Sequence, residues 1–578
     1  MLFFKNKGTD IAVMAKHLKN RIDAAEGRIA CDLVIRNAEY LNIFTCEWSN
    51  GEIAIADGAI VALEPGLHGR RYFDAKGKTI VPGFIDAHVH VESSLMTPRH
   101  FEEAILPHGT TSAVCDPHEL ANVAGIKGIS YFLNSADKLT MDLWVMLSSC
   151  VPATDMETNG GGIIKAADLL PFITHPRQLG LAEMMNYPGV LSAQEDVTEK
   201  LAAFQQMPID GHSPLVRGSA LSAYASSGIS TCHESSTADE AKEKLQKGIS
   251  IWIREGSVAK DLQSLAPILT LATSTNIGFC TDDRNPVDIA REGHIDHIVR
   301  SAIRFGVPME IAYRCASWTP ARHYGLDRGF NRVGAIAPGY SADLVILDNA
   351  QTCAISSVLK RGVWISELDR SRSDLLQESV SGLRNTVRVR IPEAHELEGP
   401  KGRVNVIGAV ENKIITQKLV LNHDSCGVAK LSVLERYGNG HPPANAYVSG
   451  FGDSLHGAIS SSVGHDSHNL IVVGDKTTDM RVALAAIAEM GGGFAVVQNG
   501  YVLAKLALPF GGLMSDQAQA RVRSELQRLR EASQSIGCPL GEPFLQLAFL
   551  SLPVIPSLKL TDKGLVDVDR FQIVPVSV

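Results

Sequence analysis

The chain has 578 residues, 45% of them apolar, and carries 63 acidic against 54 basic residues for a formal net charge of −9. That length supports a large core divided over two or three domains, and the composition is that of an ordered globular protein. The acidic balance excludes a nucleic-acid binder, which needs a basic face for phosphates, and suits a small, neutral or weakly charged substrate.

No apolar run reaches the length of a membrane span, so no membrane association is expected. The apolar tip Met1-Leu2-Phe3-Phe4 meets a charge at Lys5 and is too short for a signal peptide. Ten cysteines lie between Cys31 and Cys538 without one C-x-x-C pair. That pattern fits reduced thiols in a cytoplasm rather than a disulfide framework or zinc ribbon, and a cytoplasmic location is expected.

Residues 1–30 read as a polar helical lead-in. From Cys31 the pattern turns strand-like, and Asp57-Gly58 separates the apolar runs Glu52–Ala56 and Ala59–Leu63. Asp-Gly between two such runs signals a hairpin, because both turn residues must take φ > 0. Residues 31–78 are therefore expected as a small antiparallel β unit.

Between about 79 and 330 short apolar runs alternate with helical stretches, the rhythm of βα units. The runs are Thr79–Glu92, Thr110–Glu119, Asp142–Ala153, Gln178–Asn186, Met207–His212, Ile229–Glu234, Ile249–Glu255 and Ile277–Asp283. Eight repeats match an α/β fold of the (β/α)8 TIM-type barrel kind, with a short crossover helix between runs five and six. Strand-like Gly334–Pro338 and Ala342–Asp348 are expected to rejoin residues 31–78, so that 31–78 and 331–375 make one flanking β-sandwich. Residues 380–578 mix strands, a helix near 477–490 and a charged helix near 515–534, and form an α+β C-terminal domain. Gly491-Gly492-Gly493 lacks the Gly-Lys-Ser/Thr ending of a phosphate loop and has no nucleotide role.

The chemistry lies where the runs end. His88 and His90 close run one and, at i and i+2 of a strand, face the same side. Glu183 lies near the end of run four, His212 ends run five, His233 lies near the end of run six, and Asp282 and Asp283 close run eight. In such barrels these ends converge on one mouth. Singly, each residue has an ordinary structural explanation: a core histidine, an ion-pair partner, a helix cap before Asn285-Pro286. Jointly, six groups suffice for two metal ions sharing a carboxylate.

Imidazoles and carboxylates suit Zn²⁺, Fe²⁺ or Mn²⁺, and the absence of thiolates disfavours a structural zinc site. Two such ions about 3.5–4 Å apart lower the pKa of a bridging water from about 15.7 towards 7. Asp282 is the carboxylate best placed to take its proton and pass it on.

Val81–Glu92, the later Glu, His, His and Asp, and Ala337-Pro338-Gly339-Tyr340-Ser341-Ala342-Asp343-Leu344-Val345 resemble the amidohydrolase superfamily. More narrowly, Glu92-Ser93-Ser94-Leu95, Asp116-Pro117-His118-Glu119-Leu120-Ala121-Asn122-Val123, Asp210-Gly211-His212 and Thr281-Asp282-Asp283 resemble the bacterial adenine deaminase family. Gly464-His465-Asp466-Ser467-His468-Asn469 and Gly511-Gly512-Leu513-Met514-Ser515 look like that family's terminal domain. The likeness covers the chain from about residue 31 onward, with Ser213-Pro214-Leu215 departing from the family pattern.

The resemblance implies hydrolysis of adenine to hypoxanthine and ammonia at a binuclear centre holding manganese or iron, with zinc as the alternative. His88, His90, Glu183, His212, His233 and Asp282 would be the metal ligands, and Glu183 either a ligand or a carrier of protons to the purine. By similarity to other purine deaminases, Asp283 would bond a ring nitrogen, with Asp116 as an acid and His118 as a polariser near the substrate. His465 and His468 would either close over the site or serve a core or surface role. A homo-oligomer, as a dimer, is the expected assembly.

Deamination requires water attack at C6 and protonation of a ring nitrogen, so a positioned acid is expected in the pocket. The other solution, a zinc deaminase with His-x-Glu and Pro-Cys-x-x-Cys, needs a cysteine half that is missing here; His90-Val91-Glu92 matches its first half by coincidence. Cyclic-amide hydrolases usually bridge their metals with a carboxylated lysine where run four has Glu183, and no sugar or phosphate clamp for a deacetylase can be located. A non-catalytic barrel that binds metal or purine would be expected to have lost a ligand, and none is missing.

Overall fold

Asp57 and Gly58 take φ of 53° and 71°, the left-handed pair that a two-residue hairpin requires, and turn the strand Glu47–Ala56 back as Ala59–Ala62. The computed structural model describes residues 11–368 and 382–578. Within it these strands join Cys31–Asn42, Gly69–Asp74, Thr79–Pro82, Leu344–Asn349, Ala354–Lys360 and Val363–Trp364 in one eight-stranded sheet. The strands beyond the βα region do rejoin the N-terminal ones: Leu344–Leu347 pairs antiparallel with Thr79–Pro82. Leu33, Ile35, Ile53, Ile55, Ile60, Ile80, Leu344 and Ile346 bury in one cluster of this sheet.

The N-terminal unit is not purely antiparallel, as its sequence suggested. Cys31–Asn42 is twelve residues long. It takes Glu47–Ala56 antiparallel on one edge, and on the other Gly69–Asp74 along its first half and Thr79–Pro82 near its end, both parallel. Run one is also divided. Thr79–Pro82 belongs to this flanking sheet, and a new strand begins at Phe84. Gly83 sits at the break, where a Cβ would lie 2.3 Å from Thr111 Oγ1, so only glycine lets the chain pass between the sheets.

The strands that carry the site are numbered β1 to β8: Phe84–Val89, Thr110–Cys115, Asp142–Leu147, Gln178–Met184, Ile209–Gly211, Thr231–Cys232, Ser250–Arg254 and Ile277–Cys280. β1 to β5 form a five-stranded sheet and β6 to β8 a three-stranded one, with neighbouring strands parallel throughout. Backbone bonds cross both seams. Ser230 N donates to Ile209 O (2.9 Å) between β5 and β6, while His90 N donates to Asp282 O (3.1 Å) and Asp282 N to His88 O (3.0 Å) between β1 and β8. The crossover from β5 to β6 is the nine-residue helix Gly218–Ser226, as short as the spacing required.

Helix Ile11–Ala25 accounts for the described part of the lead-in; residues 1–10, with the tip Met1–Lys5, lie outside the described residues. So does the start of the C-terminal region at 380. Beyond it, an eight-stranded sheet carries the helices Thr477–Met490 and Gln519–Ser535. Gly491, at φ 74°, ends the first of these helices, and the glycine triplet is a stop and a close-packing device. Leu95, Met96 and Leu120 share one apolar cluster with Phe510, Leu513 and Met514, so packing is continuous between the C-terminal region and the loops above β1 and β2. No helix among the described residues is long and apolar enough to cross a membrane.

Lys360 fastens the flanking sheet to β3. Its buried ammonium bonds Asp142 Oδ2 and Asp343 Oδ2, each at 2.7 Å. Burial alone pushes Asp142 up, but Lys360, Arg361 and Arg177 outweigh it and hold this carboxyl well below the usual range. Removing one partner of a buried pair strands the other charge. Lys360→Met is therefore expected to cost about 3–5 kcal/mol in urea denaturation. Because the folded pKa of Asp142 lies below its unfolded value of about 3.9, its contribution is complete above that pH and is lost as pH falls. Asp142→Asn should flatten the acid limb of the stability curve.

Candidate metal centre

β1 runs out of apolar residues at its C-terminal end, where Asp86, His88 and His90 alternate with Ala87 and Val89 and share a face. Asp86, fully buried, accepts from His88 N (3.3 Å) and Thr281 N (3.1 Å), tying β1 to the end of β8; burial raises its pKa to about 7. The two imidazoles above it converge, Nε2 to Nε2, at 3.2 Å. His90 Nδ1 is fixed by the carbonyl of Asp116 at 3.1 Å.

Glu183, at the end of β4, divides its carboxylate between two sets of imidazoles. Oε1 lies 3.6 Å from His88 Nε2 and 3.3 Å from His90 Nε2. Oε2 lies 2.7 Å from His212 Nδ1 and 3.2 Å from His233 Nε2. Asp282 closes the first set, its Oδ1 at 3.4 Å from His88 and 3.2 Å from His90. It holds φ at 56°, a conformation that non-glycine residues rarely adopt and that turns its carboxylate inward. All six predicted ligands are thus brought together and buried.

The charges in this dry mouth are strongly coupled. Burial raises Glu183, but His233, His212 and His90 hold it well below the ordinary carboxylate value. Asp282 is likewise raised by burial and, more strongly, held down by His88, His90 and Arg254. Burial lowers His90 and His233, yet the facing carboxylates keep both well above the usual histidine range. His88 is lowered, by burial first and then by His233.

Two site groups escaped the sequence reading. Arg254, the last residue of β7, reaches Asp282 Oδ2 at 3.0 Å and grips both oxygens of Glu234, which follows His233. Glu234 in turn faces His212 Nδ1 (3.7 Å) and His233 Nε2 (3.4 Å). Both sit at strand ends, so the strand-end rule that found His233 and Asp282 would also have found them.

Asp116 and His118 follow β2, with His118 opening the helix His118–Ala124 rather than extending the strand. His118 Nδ1 bonds Asp116 Oδ2 at 2.9 Å and lies 3.6 Å from Glu183 Oε1. Its Nε2 faces Oδ1 of Asp466, from the C-terminal region, at 3.5 Å, a contact that no local sequence signal marks. Asp283 points away from Asp282 and accepts from Ser93 Oγ at 2.5 Å. His465 and His468 are buried against this group rather than on the surface.

The residues fit divalent cations. His212 Nε2 and His118 Nε2 are buried without a hydrogen-bond partner, and two Nε2 atoms 3.2 Å apart offer converging lone pairs. Sets such as His88/His233/Asp282 and Glu183/His212/His233 bring ligand atoms within 4.8 Å of one another. Nitrogen and carboxylate donors of this kind suit borderline first-row ions.

The sequence model of the Amidohydrolase family matches residues 79–368, the stretch that holds the parallel strands and the buried imidazole–carboxylate cluster at their ends. Residues 408–572 match the adenine deaminase C-terminal domain. An adenine deaminase of Cereibacter sphaeroides (strain ATCC 17025 / ATH 2.4.3) is 48% identical over 575 residues, covering 97% of this chain and 100% of its own. One of Methylobacterium nodulans is 48% identical over 577 residues, with the same coverage. A β-aspartyl dipeptidase of Fervidobacterium islandicum AW-1 is similar at 15% identity and a TM-score of 0.42, over 58% of this chain and 96% of that one. The chain belongs to the adenine deaminase family.

Arg254→Met should leave Glu234 and Asp282 buried without their cation. An expected loss of about 3–5 kcal/mol is read by chemical denaturation of the metal-free protein, and an unchanged midpoint would show that the guanidinium does not carry this role.

Proposed function

We propose that the chain hydrolyses adenine to hypoxanthine and ammonia, with β1 to β8 closed as a (β/α)8 barrel and two divalent cations at its mouth. The observation that carries this reading is the division of Glu183 between two imidazole sets, in a chain whose full-length relatives are named adenine deaminase. His88, His90, Asp282 and one oxygen of Glu183 would hold one ion; His212, His233 and the other oxygen would hold the second. Manganese or iron suits this set, with zinc as the alternative. When bound, such ions supply Lewis acidity that lowers the pKa of water from about 15.7 towards 7.

The chain's own groups do the rest. Arg254 engages Asp282 Oδ2 and leaves Oδ1 facing the centre, so that Asp282 is the carboxylate oriented to take a proton from water and return it to the leaving amine. Both oxygens of Glu183 are occupied by imidazoles, which favours the bridging role over proton delivery to the ring. Asp116, backed by Ser148 Oγ at 3.1 Å, orients His118 toward the substrate, and burial of the whole mouth strengthens each of these interactions by excluding water. Asp283, on the side away from the imidazoles, would hydrogen-bond a ring nitrogen of the purine.

Metal-replete protein is expected to release ammonia from adenine, forming hypoxanthine, in preference to guanine, cytosine and nucleosides. Cleavage of a cyclic amide instead would move the assignment to another amidohydrolase reaction. Chelation should remove both metal and activity, and Mn²⁺ or Fe²⁺ should restore them. His88→Ala and Asp282→Asn are each expected to lower kcat by on the order of 10³-fold or more with the folded far-UV spectrum retained; near-normal turnover in either would take that residue out of the mechanism.

A further inference from the structure

We infer that Glu119 and His465, one from the helix after β2 and one from the C-terminal region, read the five-membered ring of the purine and select a base with a free N–H there. This rests on the adenine reading above and adds the residues that would set its specificity.

Two consecutive pairs of residues split between the metal centre and a second buried cluster. His118 and Asp282 face the imidazoles and Glu183, while their neighbours Glu119 and Asp283 turn the other way. Ser93 Oγ bridges these two, at 3.0 Å from Glu119 Oε1 and 2.5 Å from Asp283 Oδ1. Ligand-type atoms of Glu119, Asp283 and His465 all lie within 4.8 Å of one another. The cluster therefore adjoins the hydrolytic end without belonging to it.

His465 presents Nδ1 to Glu119 Oε1 at 3.8 Å and to Asp466 Oδ1 at 3.4 Å, while other polar atoms of the cluster lack protein partners. Glu119 Oε2, His465 Nε2, His468 Nε2 and Asp466 Oδ2 are all buried with no hydrogen bond, and Glu119 Oε2 stands 4.0 Å from His468 Nε2, too far to pair. Buried polar atoms are normally satisfied, and several unsatisfied ones carried together by segments distant in sequence point to a ligand. The wall they form is rigid. The His465 ring stacks on Phe549 at 4.8 Å and 11°, Asn469 Nδ2 donates to Thr158 O at 2.8 Å, and Tyr437 OH donates to Ser467 O.

The ligand's chemistry follows from these groups. The five-membered ring of a free purine carries one N–H and one bare nitrogen. A carboxyl group keeps an acceptor oxygen in either protonation state, and an imidazole can supply the matching donor. A nucleoside, whose sugar replaces that N–H, would leave Glu119 buried and unpaired, the condition under which polar sites discriminate most sharply.

Steady-state kinetics on adenine and 9-methyladenine, together with metal content, test this. Wild-type kcat/KM is expected to favour adenine by on the order of 10³-fold or more. Glu119→Leu should raise KM for adenine by about 10–100-fold, move kcat less, raise kcat/KM for 9-methyladenine because no carboxyl is left unpaired against the methyl group, and keep the full metal complement. Glu119→Gln, which retains one acceptor oxygen, should recover part of the loss, and His465→Leu should raise KM in the same sense. The proposal is overturned if wild-type enzyme takes 9-methyladenine as well as adenine, a comparison that stands even if a variant fails to fold. It also falls if Glu119→Leu keeps a normal KM, or if that variant loses a bound ion, which would make the cluster a cation site. Wild-type enzyme inactive on adenine would instead remove the functional reading itself.

Discussion

A single carboxylate ringed by imidazoles organises this protein. Glu183 cannot be buried between His88, His90, His212 and His233 unless strands β1, β4, β5 and β6 bring those side chains to one height. A carboxylate taken out of water demands compensation from charge or hydrogen bonds. Asp282 and Glu234 add two more acids in the same space, and Arg254 compensates both from one guanidinium. The mouth is therefore a balanced electrostatic unit in which each group's charge state is set by its neighbours rather than by its own chemistry. That is the condition under which donors remain aimed at cations without collapsing onto one another.

The scaffold serves this balance from two sides. Below, the flanking sheet anchors β3 through Lys360 and its two aspartates, and Gly83 lets the chain leave that sheet and enter β1 within a single residue. Above, the C-terminal region packs its own apolar residues against Leu95, Met96 and Leu120, and so brings the segment His465–Asn469 over the ends of the strands. Asp466 reaches His118 only because of that packing. The C-terminal region thus lies against the buried polar cluster as well as forming part of the core, and the continuity of the apolar cluster keeps it in register with the strands.

Much of the site was legible because strands impose a period of two and parallel strands share a direction. His88-x-His90 had to face one way, and Glu183, His212, His233 and Asp282 had to lie at strand ends, whatever the loops did. The hairpin at Asp57-Gly58 was equally local, since only residues tolerant of positive φ make that turn. The same rule covered Glu234 and Arg254. They were overlooked because an acid beside a histidine and an arginine closing a strand are common on any surface, and nothing local marks them as paired. Run one was read as a single strand because Thr79–Pro82 and Phe84–Val89 have the same apolar character; which sheet each joins depends on partners far along the chain.

Sequence by itself determined the class of fold, the six ligand-type residues and the direction in which they point, because side-chain alternation and strand polarity are properties of the local backbone. Tertiary structure alone decided that Glu183 is divided between two imidazole sets, that Arg254 restrains Asp282, and that Glu119 meets His465. These are distances between segments from about 28 to about 346 residues apart, fixed by the packing of one apolar face on another, and no local pattern encodes them.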